Sequence, residues 1–191
     1  MKNGLLVMVV FGVLGMVLGL GIVMAGDADE TKGEGGGCEV TKPLPNKKMV
    51  QVAIIVRDAE ASAKRWANLL GVEVPKAVVS EPAATAKTMY RGEPTEGRVK
   101  MVFFELENLS LELLEPVGGP SIWREVLEEK GECVHHIAFQ VEGMDGQIAN
   151  LEKKGMGLTQ RGGWTEGGSG CYAYFDSEEQ LGAIVELLEV Y

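Results

Sequence analysis

The sequence contains an internal repeat, and this repeat constrains the fold more than any other feature. Residues 48–56 and 131–141 align so that Gln51 falls at the position of His136. Both copies have the apolar pattern of a β-strand. The chain is therefore predicted to consist of two copies of one structural unit.

The segments that follow the two copies also match. Helical patterns over 58–70 and 145–154 each end before a glycine, which is a common helix end. Each half then closes on an apolar strand with the motif Glu-Leu-Leu-Glu, at 112–115 and at 186–189. A strand, a helix and several strands, repeated once, predict an α+β fold with mostly antiparallel pairing. A short strand over 72–74 is expected in the first half.

These patterns divide the 191-residue chain into a leader, a linker and one domain with two modules. The linker is rich in Gly, Asp, Glu and Lys and almost free of large apolar side chains, so it cannot bury enough surface to fold alone. The predicted boundaries are 1–25 for the leader, 26–48 for the linker and 49–191 for the domain, with module one at 49–118, a bridging helix at 121–130 and module two at 133–191.

The leader predicts export. Residues 5–25 carry no charge, and only Lys2 and the amino terminus precede them. Val23 and Ala25 are the small residues that a signal peptidase requires, whereas the apolar run is also long enough to span a bilayer as an uncleaved anchor. In either case the domain is expected to be periplasmic or extracellular, with the leader as its only contact with a membrane.

The composition excludes one class of partner. A net charge of −10 leaves no basic stripe that could neutralise phosphates, so nucleic acid is not expected to bind. Three cysteines leave an odd one. Cys133 and Cys171 either pair in an oxidising compartment or remain reduced thiols, and Cys38 lies in the linker.

Four side chains at equivalent positions of the two modules are candidates for a metal site. The first strand of each module offers Gln51 or His136, and the last strand offers Glu112 or Glu186. If the two modules form paired sheets that face one another around a shared cleft, an imidazole, two carboxylates and an amide oxygen suit a divalent ion such as Zn, Ni, Co, Mn or Fe. Alternation along the strand predicts that His136 faces this cleft and that His135 faces away.

Each of these residues also has a simpler interpretation. A single histidine in an apolar strand is often a satisfied core residue, and a glutamate between leucines is often the solvent face of an edge strand. Four polar residues at paired positions of a repeat favour a site.

The arrangement resembles the vicinal oxygen chelate superfamily, which has the glyoxalase, bleomycin-resistance and dioxygenase fold. The resemblance covers residues 49–191 and rests on Val-Ala-Ile-Ile-Val-Arg-Asp with its helix, Leu-Glu-Leu-Leu-Glu-Pro, His-His-Ile-Ala-Phe and Gly-Ala-Ile-Val-Glu-Leu-Leu-Glu. These stretches look most like the methylmalonyl-CoA epimerase branch. The resemblance implies two βαβββ modules around a shared cleft, and it makes a homodimer possible.

The sequence departs from both enzyme groups that it resembles. Epimerases of this branch carry His where Gln51 stands, and a Gln, Glu, His, Glu set looks like that of zinc-type glyoxalase I enzymes. The residues that would hold glutathione there are replaced by Ile55, Pro116 and Glu132, which argues against glutathione as a cofactor. The second acidic residue that the epimerases use as a base falls at about the position of Lys100.

The resemblance implies a metal-dependent isomerase or lyase that removes a proton next to a carbonyl of a small substrate. The metal would offset the charge that develops on the substrate oxygen, with Glu186 as the first candidate for the base and Glu112 on the opposite side of the metal. Trp164 and the glycine-rich segment 162–170 are expected either to close over the substrate or to form a mobile hairpin tip.

Two other functions are consistent with the sequence. The same fold also sequesters small molecules without catalysis, so an exported binding protein is the principal alternative. An exported scaffold that has lost its activity would account for Gln51 and Lys100. Export would also separate the domain from CoA thioesters and glutathione, which are chiefly cytosolic.

Overall fold

The computed structural model describes residues 44–45, 47–165 and 168–191, so the leader, Cys38 and most of the linker lie outside the described residues. The helices and strands within these ranges are β1 (Met49–Ile55), α1 (Ala59–Leu70), β2 (Val78–Val79), α2 (Ala83–Ala86), β3 (Met89–Tyr90), β4 (Glu93–Pro94), β5 (Gly97–Glu105), β6 (Ser110–Gly118), α3 (Ile122–Lys130), β7 (Cys133–Gln140), α4 (Met144–Lys153), β8 (Leu158–Trp164), β9 (Gly170–Phe175), α5 (Glu178–Leu181) and β10 (Ile184–Val190). None of the helices in these ranges is long and apolar enough to cross a membrane.

The strands of the described residues form one curled sheet in the order β2-β5-β6-β1-β7-β10-β9-β8-β3-β4. Its first eight strands are two quartets that meet where β1 and β7 run antiparallel. Each quartet contains one parallel pair, β1 with β6 and β7 with β10. The other pairings within the quartets are antiparallel. The α+β class with two βαβββ modules is therefore confirmed.

The pairing of the central strands displays the repeat at the level of single residues. Gln51 pairs with Ala138 across the boundary between β1 and β7, and Ala53 pairs with His136. Gln51 and His136 are counterparts in the repeat, and so are Ala53 and Ala138. Exchanging each residue for its counterpart therefore converts the first pair into the second. The two modules are therefore related by a two-fold exchange about this boundary.

The second glutamate of each Glu-Leu-Leu-Glu motif holds the start of a helix on the outer face of the sheet. The Ala59 N–H donates to Glu115 (N···O 3.0 Å) at the start of α1. The Met144 N–H donates to Glu189 (N···O 3.0 Å) at the start of α4. A carboxylate in this position satisfies free N–H groups and favours the positive end of the helix dipole. Since the two glutamates of a motif are three residues apart in a strand, the first one faces the opposite side of the sheet.

Helix α1 begins and ends where the sequence predicts. The Asp58 side chain accepts a hydrogen bond from the Ala61 N–H at 2.8 Å, and Gly71 ends the helix at a φ of 70°. Glycine adopts this left-handed conformation without the steric cost of a side chain. The helix packs its apolar side over Val102 and Leu113.

The bridging helix α3 lies on the inner face of the sheet, which is the face that carries Ala53. Ser121 caps the start of the helix and Gly131 follows its end, as the sequence predicts. Trp123 of this helix enters a buried cluster with Ala53 and Tyr174. The sheet therefore curls around α3, which the sequence places between the modules but not inside them.

The predicted strand over 72–74 is wrong. The Val72 N–H bonds to the carbonyl of Ala67 (N···O 3.1 Å) and so completes the last turn of α1. The short strand of this region is β2 instead, where Val78 pairs with Met101 of β5.

A hairpin that belongs to module one in sequence joins the far edge of module two. Strand β3 follows β2 along the chain, yet its Tyr90 pairs with Gln160 of β8. The Tyr90 hydroxyl and the Arg91 guanidinium both bind the carboxylate of Glu125 on α3. The hairpin thus ties the two modules and the bridging helix together.

Candidate functional site

The donors predicted from the repeat occupy four adjacent strands: Gln51 on β1, Glu112 on β6, His136 on β7 and Glu186 on β10. All four lie on the inner face of the sheet. Glu112 and His136 flank Ala53 in the register of the strands, and Gln51 and Glu186 flank Ala138. These alanines have no atoms beyond Cβ that would fill the space between the donors. All four donors are buried.

The three ionisable donors face one another. The Nε2 atom of His136 lies 3.0 Å from Oε2 of Glu186 and 3.7 Å from Oε2 of Glu112. Their exposed fractions are 0 % for His136, 3 % for Glu186 and 5 % for Glu112. The His136 Nε2 and Glu186 Oε2 atoms nevertheless have no hydrogen-bond partner of normal geometry. Buried polar atoms without a partner are costly, so this pair needs a further group between or beside its atoms.

The donor set suits a divalent ion by its chemistry and, in part, by its spacing. Two atoms that each lie about 2.1 Å from one ion, at an angle of about 90 to 120°, are about 3.0 to 3.6 Å apart. The distances from His136 to the two carboxylates are close to this range. Within the described ranges, however, no three acidic, imidazole or thiol side chains are placed so that they could hold a metal ion, so the carboxylates would have to move toward one. The kinds of donor present therefore suit the predicted ion, with the Gln51 amide on the same face, whereas their positions do not form a closed site.

Burial governs the electrostatics of the site. It raises the pKa of the Glu112 carboxyl well above its usual range, and the negative charge of Glu186 raises that pKa further. It also raises the pKa of the Tyr174 hydroxyl well above 10, with Glu186 and Glu112 adding to the effect. A cation in the site would offset this crowding of negative charge.

The prediction that His135 faces away from the site is wrong. The register of β7 against β1 shifts between His136 and Val134, which makes His135 the extra residue of a β-bulge. A bulge interrupts the alternation of side chains, so both imidazoles lie on the inner side. The Nδ1 atoms of the two rings are 2.9 Å apart, and His135 is as buried as His136.

An aromatic wall beside the site was missed in the sequence. Tyr174 lies next to Glu186 in the sheet, and its ring contacts that of His136 at a centroid distance of 5.0 Å. The Trp123 Nε1–H donates to the Tyr174 hydroxyl at 3.3 Å. Tyr172 stacks on the same cluster, and burial raises its pKa to about 12. The alternation of Tyr172 and Tyr174 in the strand preceding the Glu186 strand is the sequence signal that could have revealed this wall.

Gln160 is a second missed residue, because nothing local marks it as special. Its side chain is 1 % exposed, and its amide oxygen accepts the Ile122 N–H at 2.9 Å. It therefore holds the first turn of α3 against module two.

Lys100 does not lie in the site. Its ammonium binds Glu115 at 3.0 Å on the outer face, close to the start of α1. Glu112 pairs with Phe103 of β5, and Met101, two residues before Phe103, lies on the same inner face. In this part of β5 the inner face thus carries apolar residues, and the second base of the resembling epimerases has no acidic counterpart there.

Part of the segment 162–170 belongs to the sheet, and its predicted closure over the substrate stays a prediction. Gly162, Gly163 and Trp164 belong to β8, and residues 166–167 lie outside the described residues. A Cβ on Gly170 would lie 2.3 Å from the Trp164 ring, and one on Gly162 would lie 2.6 Å from the Tyr172 hydroxyl. These glycines therefore make room for aromatic rings across the strands.

The three positions that replace the glutathione contacts offer no cation. Ile55 is fully buried in the core, and Pro116 lies within β6. The Glu132 carboxylate accepts the Arg57 N–H at 2.9 Å. Cys133 and Cys171 are both free thiols, so the predicted alternative of a disulfide between them is not formed.

The fold consists of two strand quartets related by exchange, and buried ionisable groups lie where the quartets meet. These features define the class of paired βαβββ proteins. Comparison with known families agrees. The chain belongs to the Glyoxalase/Bleomycin resistance protein/Dioxygenase superfamily, whose family model matches residues 50–175. The resemblance inferred from the sequence is thereby confirmed.

Two curated relatives and one solved structure illustrate the similarity. The chain is 32% identical to human mitochondrial methylmalonyl-CoA epimerase over 108 residues, which cover 56% of this chain and 53% of the relative. It is 31% identical to the ethylmalonyl-CoA/methylmalonyl-CoA epimerase of Cereibacter sphaeroides over 145 residues, which cover 75% of this chain and 98% of the relative. A Streptomyces coelicolor methylmalonyl-CoA epimerase in complex with 2-nitronate-propionyl-CoA matches 74% of this chain and 93% of its own, with 20% identity and a TM-score of 0.51.

The extent of these matches differs. The chain spans about half the length of the human relative and nearly all of the bacterial one. The structural match, at 20% identity, shows the shared fold.

Proposed function

We propose that the protein is a metal-dependent isomerase, of the epimerase kind, that moves a proton at a carbon next to a carbonyl. The observation that carries this proposal is the buried meeting of Glu112, His136 and Glu186 where the modules join. The relatives named as methylmalonyl-CoA epimerases support the reaction type. An acyl group in thioester linkage is therefore the first substrate to test.

The ion would be held by His136 Nε2, one oxygen each of Glu112 and Glu186, and the Gln51 amide oxygen. A bound Zn, Ni, Co, Mn or Fe ion would supply positive charge beside the substrate carbonyl. The imidazole is held by the strand backbone and by neighbouring rings, so it keeps its orientation without a ligand.

The proton would be moved by the two carboxylates. They come from different modules and reach the inner face from opposite sides of the central strand pair. An epimerisation needs one group to take the proton and another to return it on the opposite face of the carbon. We assign the first step to Glu186 and the return to Glu112, because the apolar inner face of β5 offers no other base beside them.

Substrate would approach from module one. The donors are buried, and on the module-two side their neighbour Tyr174 is buried together with Trp123. On the module-one side the counterpart of Tyr174 is Phe103, which is only half-buried. Movement of Phe103 opens the site at a lower cost than displacement of Tyr174, whose buried hydroxyl accepts a hydrogen bond from Trp123.

Export remains part of the proposal. The uncharged run at 5–25 motivates it, and Edman or mass-spectrometric analysis of the secreted protein's amino terminus would test it. A chain that stays intact in the cytosol would contradict it. Export would also favour a carbonyl substrate other than a CoA thioester.

The test is metal content together with proton exchange. Purified protein should contain near-stoichiometric divalent metal, and in D₂O it should exchange the α-proton of methylmalonyl-CoA or a smaller thioester. His136→Ala should lose both metal and exchange, whereas the outer-face variant Lys100→Met should keep both. A folded wild-type protein that takes up no metal from a mixture of Zn²⁺, Co²⁺, Ni²⁺, Mn²⁺ and Fe²⁺ would overturn the proposal.

Non-catalytic binding is the second candidate, and the apolar inner face of β5 favours it. A binding protein needs no second base, so Met101 and Phe103 would simply line the ligand. This alternative predicts ligand binding that a chelator leaves unchanged and no proton exchange in D₂O.

A further inference from the structure

The two histidines of the chain form a direct pair inside the protein. The β-bulge at His135 turns its ring toward that of His136, with 5.1 Å between centroids and an angle of 83° between planes. The Nδ1 atoms lie 2.9 Å apart, which is the distance of a hydrogen bond. Both rings are almost completely buried, at 2 % and 0 % exposure, so water does not compete for this contact.

One of the two facing Nδ1 atoms must carry the proton of this bond, because two lone pairs or two protons would repel. A neutral imidazole has a proton on only one nitrogen, so the choice at Nδ1 also decides what each Nε2 atom presents. If His136 donates, its Nε2 presents a lone pair to the carboxylates. If His135 donates, the Nε2 of His136 presents a proton instead.

Metal ligation would make His136 the donor. A ligating nitrogen presents a lone pair to the ion, so a neutral His136 that binds through Nε2 carries its proton on Nδ1. The His135 Nδ1 atom, at 2.9 Å, is then the acceptor of that proton. The outer Nε2 atoms do not distinguish the two arrangements, because within the described residues both lack a hydrogen-bond partner.

We propose that His135 is a positioning residue that accepts the Nδ1 proton of His136 and so leaves the Nε2 lone pair of His136 available to an ion held with Glu112 and Glu186. This inference deepens the proposed function, on which it rests. Ligating histidines generally bind an acceptor through their other ring nitrogen, and here the acceptor is a second histidine supplied by a β-bulge.

The first test is the tautomer of each ring in the Zn²⁺-loaded protein. Labelling with ¹⁵N-histidine gives only four ring nitrogens, because the chain has two histidines. Long-range ¹H–¹⁵N correlation should assign one ring as protonated at Nδ1 and the other at Nε2, with a scalar coupling between the two Nδ1 nuclei. The His135→Asn spectrum, which contains a single imidazole, identifies the signals of His136. Protonation of His136 at Nε2, or the absence of the coupling, would overturn the inference.

The second test compares two substitutions of similar size by their effects on Zn²⁺ affinity and on the His136 tautomer. His135→Asn keeps an oxygen that can accept the Nδ1 proton, whereas His135→Leu has no acceptor. We expect His135→Leu to bind Zn²⁺ about 10- to 100-fold more weakly, measured by calorimetry, and to lose the fixed tautomer, while His135→Asn stays within a few-fold of wild type. Equal losses in both folded variants would contradict a positioning role.

The outcomes also separate this inference from the proposed function. A wild-type protein that binds no Zn²⁺ would overturn the metal-dependent enzyme, and the coupling between the two Nδ1 nuclei in the metal-free protein would still decide whether the histidine pair is formed. Zn²⁺ binding without that coupling, or with His136 protonated at Nε2, would overturn the histidine pair alone.

Discussion

The two modules share one scaffold but differ on the face that they turn inward. Module one presents Gln51 and Phe103, and module two presents His136 and Tyr174 at the same positions. The carboxylates Glu112 and Glu186, by contrast, are the same residue type at equivalent positions of the two modules. Duplication thus fixes where side chains stand, while their chemistry has diverged independently in each half.

The divergence follows a physical rule about burial. Tyr174 is buried, and its hydroxyl accepts a hydrogen bond from Trp123 of α3, a helix that packs against both modules. Phe103 has no hydroxyl and is partly exposed, so it needs no such partner. The buried polar side chain of the inner wall therefore lies in module two, and its partly exposed apolar counterpart lies in module one.

Exchanging the first-strand donors should have the largest effect. His136→Gln makes both modules carry Gln and should weaken Zn²⁺ binding by more than about 100-fold, since even loss of an indirect partner costs up to that much. Gln51→His makes both carry His and should tighten binding by about tenfold, because imidazole is the better ligand for Zn²⁺. Calorimetric titration measures both. Equal small effects in the two variants would mean that neither residue binds the ion.

Much of this fold could be predicted from the repeat, because strand and helix periodicity and the helix caps are local signals. Asp58, Ser121 and Gly131 act at helix ends as expected. The bulge at His135 could not be predicted, since it is a register shift between two strands and leaves the local pattern unchanged. The same holds for the β3 hairpin, whose partner strand lies about 70 residues further along the chain.

The candidate site was predictable in its donors and not in its surroundings. The four donors follow from paired positions, and their roles as metal ligands stay a prediction. Tyr174 and Gln160 come from strands that the repeat does not mark. Lys100, which aligns approximately with the second base of the epimerases, lies on the outer face, because alignment alone does not fix the register of β5. Side chains contributed by long-range pairing are those that sequence reasoning misses.

Gly170 should show the second largest effect, on stability. Its counterpart in module one is Val99, whereas a Cβ at Gly170 would meet the Trp164 ring and, at 2.4 Å, the backbone oxygen of Glu189. Gly170→Ala should therefore lower the free energy of unfolding by about 1 to 3 kcal/mol. Gly157→Ala is the matched control, because its Cβ would meet nothing within 4 Å. Urea denaturation of both variants measures the difference, and equal stabilities would refute the steric role.

The aromatic counterparts should show a smaller asymmetry. Tyr174→Phe leaves the buried Trp123 donor without an acceptor and should cost about 1 to 2 kcal/mol of unfolding free energy. Phe103→Tyr adds a hydroxyl at a half-buried position and should change stability by less than about 0.5 kcal/mol. Denaturant titrations decide between them. A larger cost at Phe103 would show that module one, and not module two, holds the more tightly packed inner wall.

Lys100 should matter least, although the resemblance to epimerases draws attention to it. Lys100→Met removes the contact of 3.0 Å with Glu115 on the outer face and should cost less than about 1 kcal/mol of unfolding free energy, the usual range for exposed ion pairs. Glu115→Gln is the stricter comparison, because it also weakens the bond to the Ala59 N–H and should cost more. Neither change should alter Zn²⁺ affinity, since both side chains face away from the four donors. A loss of metal in Lys100→Met would place this residue in the site after all. The face of module one that carries Lys100, and not the face that carries Phe103, would then correspond to the inner wall of module two.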